Sequence, residues 1–146
     1  MKAVRPLTAK DLPRLIEFWK EYWGGDEMIV HGELFRPEQL NGFIIEDWSG
    51  VITYYIKNDA CEIISLNSLK ENRGIGTALI DEVLKEARQQ NCQRLFLVTT
   101  NDNLHALGFY QRYGFELACV WRGAVDEARK IKPGIPIIGI LSLIHI

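Results

Sequence analysis

The sequence predicts an α/β domain with a mixed, mostly antiparallel, twisted sheet flanked by helices, in a single domain over residues 1–140. Three observations carry that prediction. Short β-rich runs between Phe43 and Asn67 follow one another across tight turn signals, which makes successive strands antiparallel. Two apolar stripes recur at helical spacing, one beginning at Leu12 and the other at Ile75. The run RLFLVT, residues 94–99, is short and apolar, as a buried strand between two helices should be. Strands and helices that alternate in this way pack as layers around one core.

In chain order, residues 3–7 form a short first strand halted at Pro6-Leu7-Thr8. Thr8 and Asp11 fit a capping box, with the acidic residue three positions after the N-cap. Leu12, Leu15, Ile16, Trp19 and Trp23 then mark one helical face, and Gly24-Gly25 ends it. Residues 26–40 are rich in polar groups and read as irregular or partly helical. Residues 43–46 and 51–57 are strands joined by Asp47-Trp48-Ser49-Gly50, and Asn58-Asp59-Ala60 turns the chain into a third strand, residues 62–67. The strongest helix spans residues 74–90, with Ile75, Leu79, Val83 and Ala87 on one stripe. A helix over 103–113, a strand over 115–121 and a helical or turn segment over 125–132 complete the pattern, with a further strand expected at 135–140.

Composition narrows the function. Seventeen basic against nineteen acidic residues give a net charge of −2, and no Lys/Arg stripe of the kind a nucleic-acid binder presents is seen. No apolar run reaches the roughly 20 residues that span a bilayer, and the start, MKAVRPLTAKDL, lacks the apolar core of a signal peptide. Cys61, Cys92 and Cys119 are odd in number and without CxxC spacing, so neither a metal site nor a disulfide framework is indicated. Reduced, mostly buried thiols in the cytoplasm are the expectation. The final LSLIHI, residues 141–146, reads as a non-native or truncated tail. A last strand cut short would open a sheet edge, and a homodimer is the expectation tied to that edge.

Two stretches carry the chemistry. RGIGTALI, residues 73–80, places glycines where a helix begins. A helix start leaves backbone N–H groups free and, with its dipole, favours an anion. Alone this is a weak signal, because neither GxxxxGK[ST] nor a full GxGxxG occurs. One strand later, residues 103–115 read NLHALGFYQRYGF, which fits N-x-x-A-x-x-F-Y-x-x-x-G-F. The pair, in this order of elements, resembles the GCN5-related N-acetyltransferase (GNAT) family from Val4 to Phe115.

That resemblance implies acetyl-coenzyme A as co-substrate and no metal. Its pyrophosphate would lie on backbone N–H groups around Arg73, Gly74, Ile75, Gly76, Thr77 and Ala78. The family pattern is Q/R-x-x-G-x-G/A, and the first slot here holds Glu71. The resemblance also implies that the strand ending Ile64-Ser65-Leu66-Asn67 binds the pantetheine arm. A backbone N–H of Leu66 or Asn67 would polarise the thioester carbonyl, with Ser68 as a further contact. Tyr110 takes the slot from which a tyrosine donates a proton to the leaving thiolate; the competing reading makes it a core aromatic. Asn103 is a helix cap or coenzyme contact, and Arg112 a coenzyme-phosphate contact or a solvated arginine.

The acceptor amine must lose a proton before it attacks. Glu62 is the carboxylate that the resemblance favours as base, against an exposed and inert glutamate. Strand alternation sets Glu62 with Ile64 and Leu66, opposite Cys61, Ile63 and Ser65. His31, Asp26 and Glu27 are lesser candidates, and His105 reads as a surface or packing histidine. Trp19, Trp23, Met28, His31, Phe35, Trp48, Tyr54 and Tyr55 are either core or acceptor pocket, and nothing names the acceptor. The resulting expectation is an N-acetyltransferase acting on a primary amine of a small molecule or peptide by direct attack. The alternative is a non-catalytic acyl-coenzyme A binding or sensing domain.

Overall fold

The computed structural model describes residues 3–70, 73–100, 102–120 and 122–131. Its elements are β1 (Val4–Pro6), α1 (Leu12–Trp23), β2 (Met28–Val30), β3 (Glu33–Phe35), β4 (Asn41–Ile45), β5 (Gly50–Lys57), β6 (Ala60–Ser68), α2 (Ile75–Gln89), β7 (Arg94–Leu97), α3 (Leu104–Tyr113) and α4 (Ala124–Ile131). Short 3-10 turns occupy Ala9–Asp11 and Pro37–Gln39. The expected mixed, mostly antiparallel sheet is present, in the order β1-β4-β5-β6-β7, and only β6–β7 is parallel. The chain divides into two compact units: Met1–Met28 with Phe35–Leu97, and Ile29–Leu34 with Val98–Ile146.

The first unit holds the sheet, α1 and α2. Asp11 starts α1 by accepting from the Thr8 N–H (2.8 Å) and hydroxyl (3.1 Å), and it pairs with both terminal nitrogens of Arg5 at 2.9 Å. The arginine holds the Asp11 carboxyl well below the usual carboxylate range. Gly24, in the left-handed region at φ 76°, stops α1 where the glycine pair predicts. α2 buries Ile75, Leu79, Val83 and Ala87 as its stripe requires. It lies on the sheet face that carries Gly50, where any Cβ would run into Ile75, Leu79 and Ile45. The missing side chain at Gly50 therefore lets the first turn of α2 seat against the sheet.

The structure differs from the sequence expectations in three places. Residues 28–35 form a hairpin, β2–β3, through His31 (φ 43°) and Gly32 (φ 80°), a two-residue turn of the kind Asn-Gly usually makes. Residues 115–120 form no strand among the described residues, and Leu117 and Val120 are 66% and 55% exposed. Among the described residues no strand lies beside this run to take its backbone groups. For the same reason Cys119 is exposed where a buried thiol was expected. The expected last strand at 135–140, the tail at 141–146 and Glu71 lie outside the described residues.

The third difference is a bulge. β5 pairs with β6 as Thr53↔Ser65 and then Tyr54↔Ile63, so Ile64 is the extra residue. An extra residue reverses the side-chain phase beyond it. Glu62 therefore shares a face with Ser65 and Asn67, opposite Tyr55, Thr53 and Val51, and not with Leu66 as simple alternation implies.

Candidate active site

In the first unit the candidate residues follow the open edge of β6. β6 runs to Ser68, but its pairing with β7 ends at Ile63↔Leu97. Past the bulge, one side of β6 is thus held by β5 and the other has no strand partner among the described residues. The phase of the ladder follows from Leu69, whose N–H donates to Ser49 O at 2.8 Å. Antiparallel pairs alternate, so Asn67 and Ser65 turn their backbone groups to β5, and Leu66 and Ser68 turn theirs to the open edge. Of the two expected carbonyl-polarising amides, Leu66 N–H faces outward and Asn67 N–H faces β5. The Ser68 hydroxyl donates to Lys70 O at 3.3 Å.

The chain leaves this edge and enters α2 through Arg73 and Gly74, both exposed. Gly74 has φ 69°, a left-handed conformation that glycine adopts at no steric cost. Ile75, Gly76 and Thr77 follow in the first turn, where amides lack helical carbonyls. Ala78 N–H already donates to Gly74 O at 3.0 Å, so the free donors of the expected cradle precede it. Lys70 lies 3.4 Å from Asp47 in the β4–β5 turn.

Glu62 is 5% exposed, so it is a buried glutamate and not the exposed one of the competing reading. On the same face, the hydroxyls of Thr53 and Ser65 are 2.6 Å apart and buried. Of the lesser base candidates, Glu27 pairs with Arg36 at 3.2 Å, and His31 lies 3.9 Å from Glu33. His105 is exposed, as expected. The aromatic cluster is mostly core: Trp19, Met28, Phe35, Trp48 and Tyr54 are all under 9% exposed. Tyr55 is half-buried, His31 is exposed and Trp23 is 41% exposed, its indole N–H donating to Asn67 Oδ1 at 2.9 Å. Sequence reading misses that contact because the two residues are 44 positions apart.

The second unit carries Asn103, Tyr110 and Arg112 together on α3. Asn103 is the N-cap, its side-chain oxygen accepting from Ala106 N–H at 3.3 Å. Tyr110 is half-buried, edge-on to Phe109 (5.5 Å) and Phe115 (5.8 Å), and burial pushes its phenol up to about 12. Arg112 is exposed and its guanidinium lies over Gly108, where an added Cβ would be 3.0 Å from Nη1. Among the described residues no three His, Cys, Asp or Glu are grouped to hold a metal ion. None of the described helices is long and apolar enough to cross a membrane.

Residues 10–115 match the Acetyltransferase (GNAT) family. The chain belongs to that family. It is 46% identical over 126 residues to the uncharacterized protein YdhI of Bacillus subtilis (strain 168), covering 84% of this chain and 79% of that protein. Its fold is similar to the ribosomal-protein-S18-alanine N-acetyltransferase from Escherichia coli, with TM-score 0.64, 17% identity, and 84% and 83% of the two chains covered. It is also similar to the aminoglycoside N-acetyltransferase AAC(6')-Iy in complex with CoA, with TM-score 0.61, 16% identity, and 82% and 93% covered. Family and fold together support acyl-coenzyme A-dependent acetyl transfer in general terms.

Proposed function

We propose that the protein transfers acetyl from acetyl-coenzyme A to a primary amine by direct attack. The observation that carries this reading is the half-open strand: β6 loses its β7 partner after Ile63, and the exposed edge leads into the Gly74 turn and the first-turn amides of α2. An extended pantetheine arm fits such an edge as an added strand, and a pyrophosphate fits the helix start. The family supports the same placement.

In this reading Leu66 and Ser68 offer backbone groups along the arm, and Leu66 N–H polarises the thioester carbonyl. Ile75, Gly76 and Thr77 amides hold the pyrophosphate, with Arg73 beside them. The amine nitrogen attacks the carbonyl carbon, the C–N bond forms, and the C–S bond breaks as sulfur takes the electron pair. Glu62, directly or through water, accepts the amine proton. Its face is the one to which Trp23 of α1 reaches, through Asn67. Tyr110 supplies the hydroxyl donor to the departing sulfur, Asn103 fixes the start of its helix, and Arg112 adds positive charge to the same helix.

Calorimetric titration tests the reading, with acetyl-coenzyme A run beside ATP and NADH. Micromolar binding of acetyl-coenzyme A alone is expected, followed by thiol release when a primary amine is added. Folded protein that binds none of the three would refute the proposal.

A further inference from the structure

We infer that Trp23, pinned by Asn67, is the acceptor-side platform of this site and selects primary amines that carry a flat apolar group. The inference rests on the transferase reading and specifies its acceptor.

Trp23 closes α1 and is 41% exposed, while Trp19, one turn earlier, is fully buried in the core. A solvent-facing indole is normally free to sample rotamers. This one is fixed by a 2.9 Å hydrogen bond to a strand residue 44 positions away. Its anchor, Asn67, is the immediate neighbour of Leu66, the residue whose amide faces the open edge. The indole is therefore tied to the strand at the point where the carbonyl would be polarised. Tyr22, 42% exposed and packed on Phe18 at 4.5 Å, extends the aromatic surface at the end of α1.

Charge favours an amine on this surface. Glu21 and Asp26, both exposed, flank the Tyr22-Trp23 pair in sequence, so carboxylates and aromatic faces lie on the same stretch. An ammonium ion is attracted to carboxylates and to the face of an indole. A flat apolar group on the same amine stacks on a pre-oriented ring at less entropic cost than on a mobile one. Orientation of the indole by Asn67 makes Asn67 a positioning residue, distinct from the amide donor next to it.

The test uses the intact protein, phenethylamine as probe, and ethylamine as the amine without the flat group. In 15N-labelled protein the Trp23 indole resonance is assigned by its loss in Trp23→Phe. Phenethylamine, with and without saturating coenzyme A, is expected to shift that resonance saturably, while ethylamine at equal concentration leaves it in place. Asn67→Ala should weaken phenethylamine binding about tenfold and leave coenzyme A affinity within twofold. An indole that phenethylamine leaves unmoved under both conditions, or that ethylamine moves equally, overturns the inference. Coenzyme A titrated into the same sample reports on the cofactor separately. A phenethylamine shift without coenzyme A binding would uphold the aromatic platform while sinking the transferase reading.

Discussion

Tyr110→Phe distinguishes two roles for the phenol. Burial pushes Tyr110 up to about 12, with the rings of Phe109 and Phe115 packed edge-on against it. An ordinary thiol is near 8.5, so complete transfer of the phenolic proton to a thiolate is uphill by about 3.5 pKa units, or about 5 kcal/mol. A hydrogen bond to the sulfur as its charge develops carries no such penalty and is worth about 1.5–3 kcal/mol. Losing it should slow kcat by about 10- to 150-fold. The assay is thiol release at pH 7.5 with saturating primary amine, wild type against Tyr110→Phe, with coenzyme A affinity measured on both. The phenol is neutral below its raised pKa, so Tyr110 should impose no fall in rate between pH 8 and about 11. A change below threefold would remove Tyr110 from the chemistry. A descending limb near pH 10 that disappears in Tyr110→Phe would refute the burial argument.

Three further outcomes are expected. Glu62→Gln should slow a lysine-like amine more than an α-amine at pH 7, because deprotonating them costs about 4.6 and 1.4 kcal/mol; equal losses for both amines would exclude Glu62 as base. Gly50→Ala should destabilise by about 1–3 kcal/mol, from overpacking against Ile75 and Leu79, and weaken coenzyme A binding by displacing the first turn of α2; denaturant melts and calorimetry read both effects. Asp11→Ala should cost about 1–2 kcal/mol, the pair with Arg5 being partly exposed. Because the Asp11 pKa is depressed in the fold, its contribution is present above about pH 4 and lost as pH falls further, so the variant's deficit should shrink on acidification.

What the sequence made legible depended on how local the determining physics was. The β4–β5–β6 meander could be read because each reversal has its own turn residues: Trp48 at φ 61° and Asn58 at φ 57° occupy the left-handed positions those turns require. α1 and α2 could be read because stripe, start and stop lie within one segment, and the Gly74 turn for the same reason. The β2–β3 hairpin is not legible in the sequence because three-residue strands show no alternation and His31-Gly32 stands in for the usual Asn-Gly.

The two features that shape the site are not local. Nothing in Ile63-Ile64-Ser65 marks Ile64 as the residue left out of the ladder; that depends on pairing with Thr53 and Tyr54. Yet the bulge decides which side chains share the Glu62 face, and it lies where β6 parts from β7. The Trp23–Asn67 bond likewise joins a helix end to a strand end that no spacing rule relates. Both lie on β6 within four residues of one another, one redirecting Glu62 and the other fixing an exposed indole beside Leu66. In the proposed reading the cofactor side of the site is written in contiguous motifs. The acceptor side would be written in contacts between distant segments, the Trp23–Asn67 bond and the β5–β6 pairing that turns Glu62 to the face of Ser65, and no motif announces either.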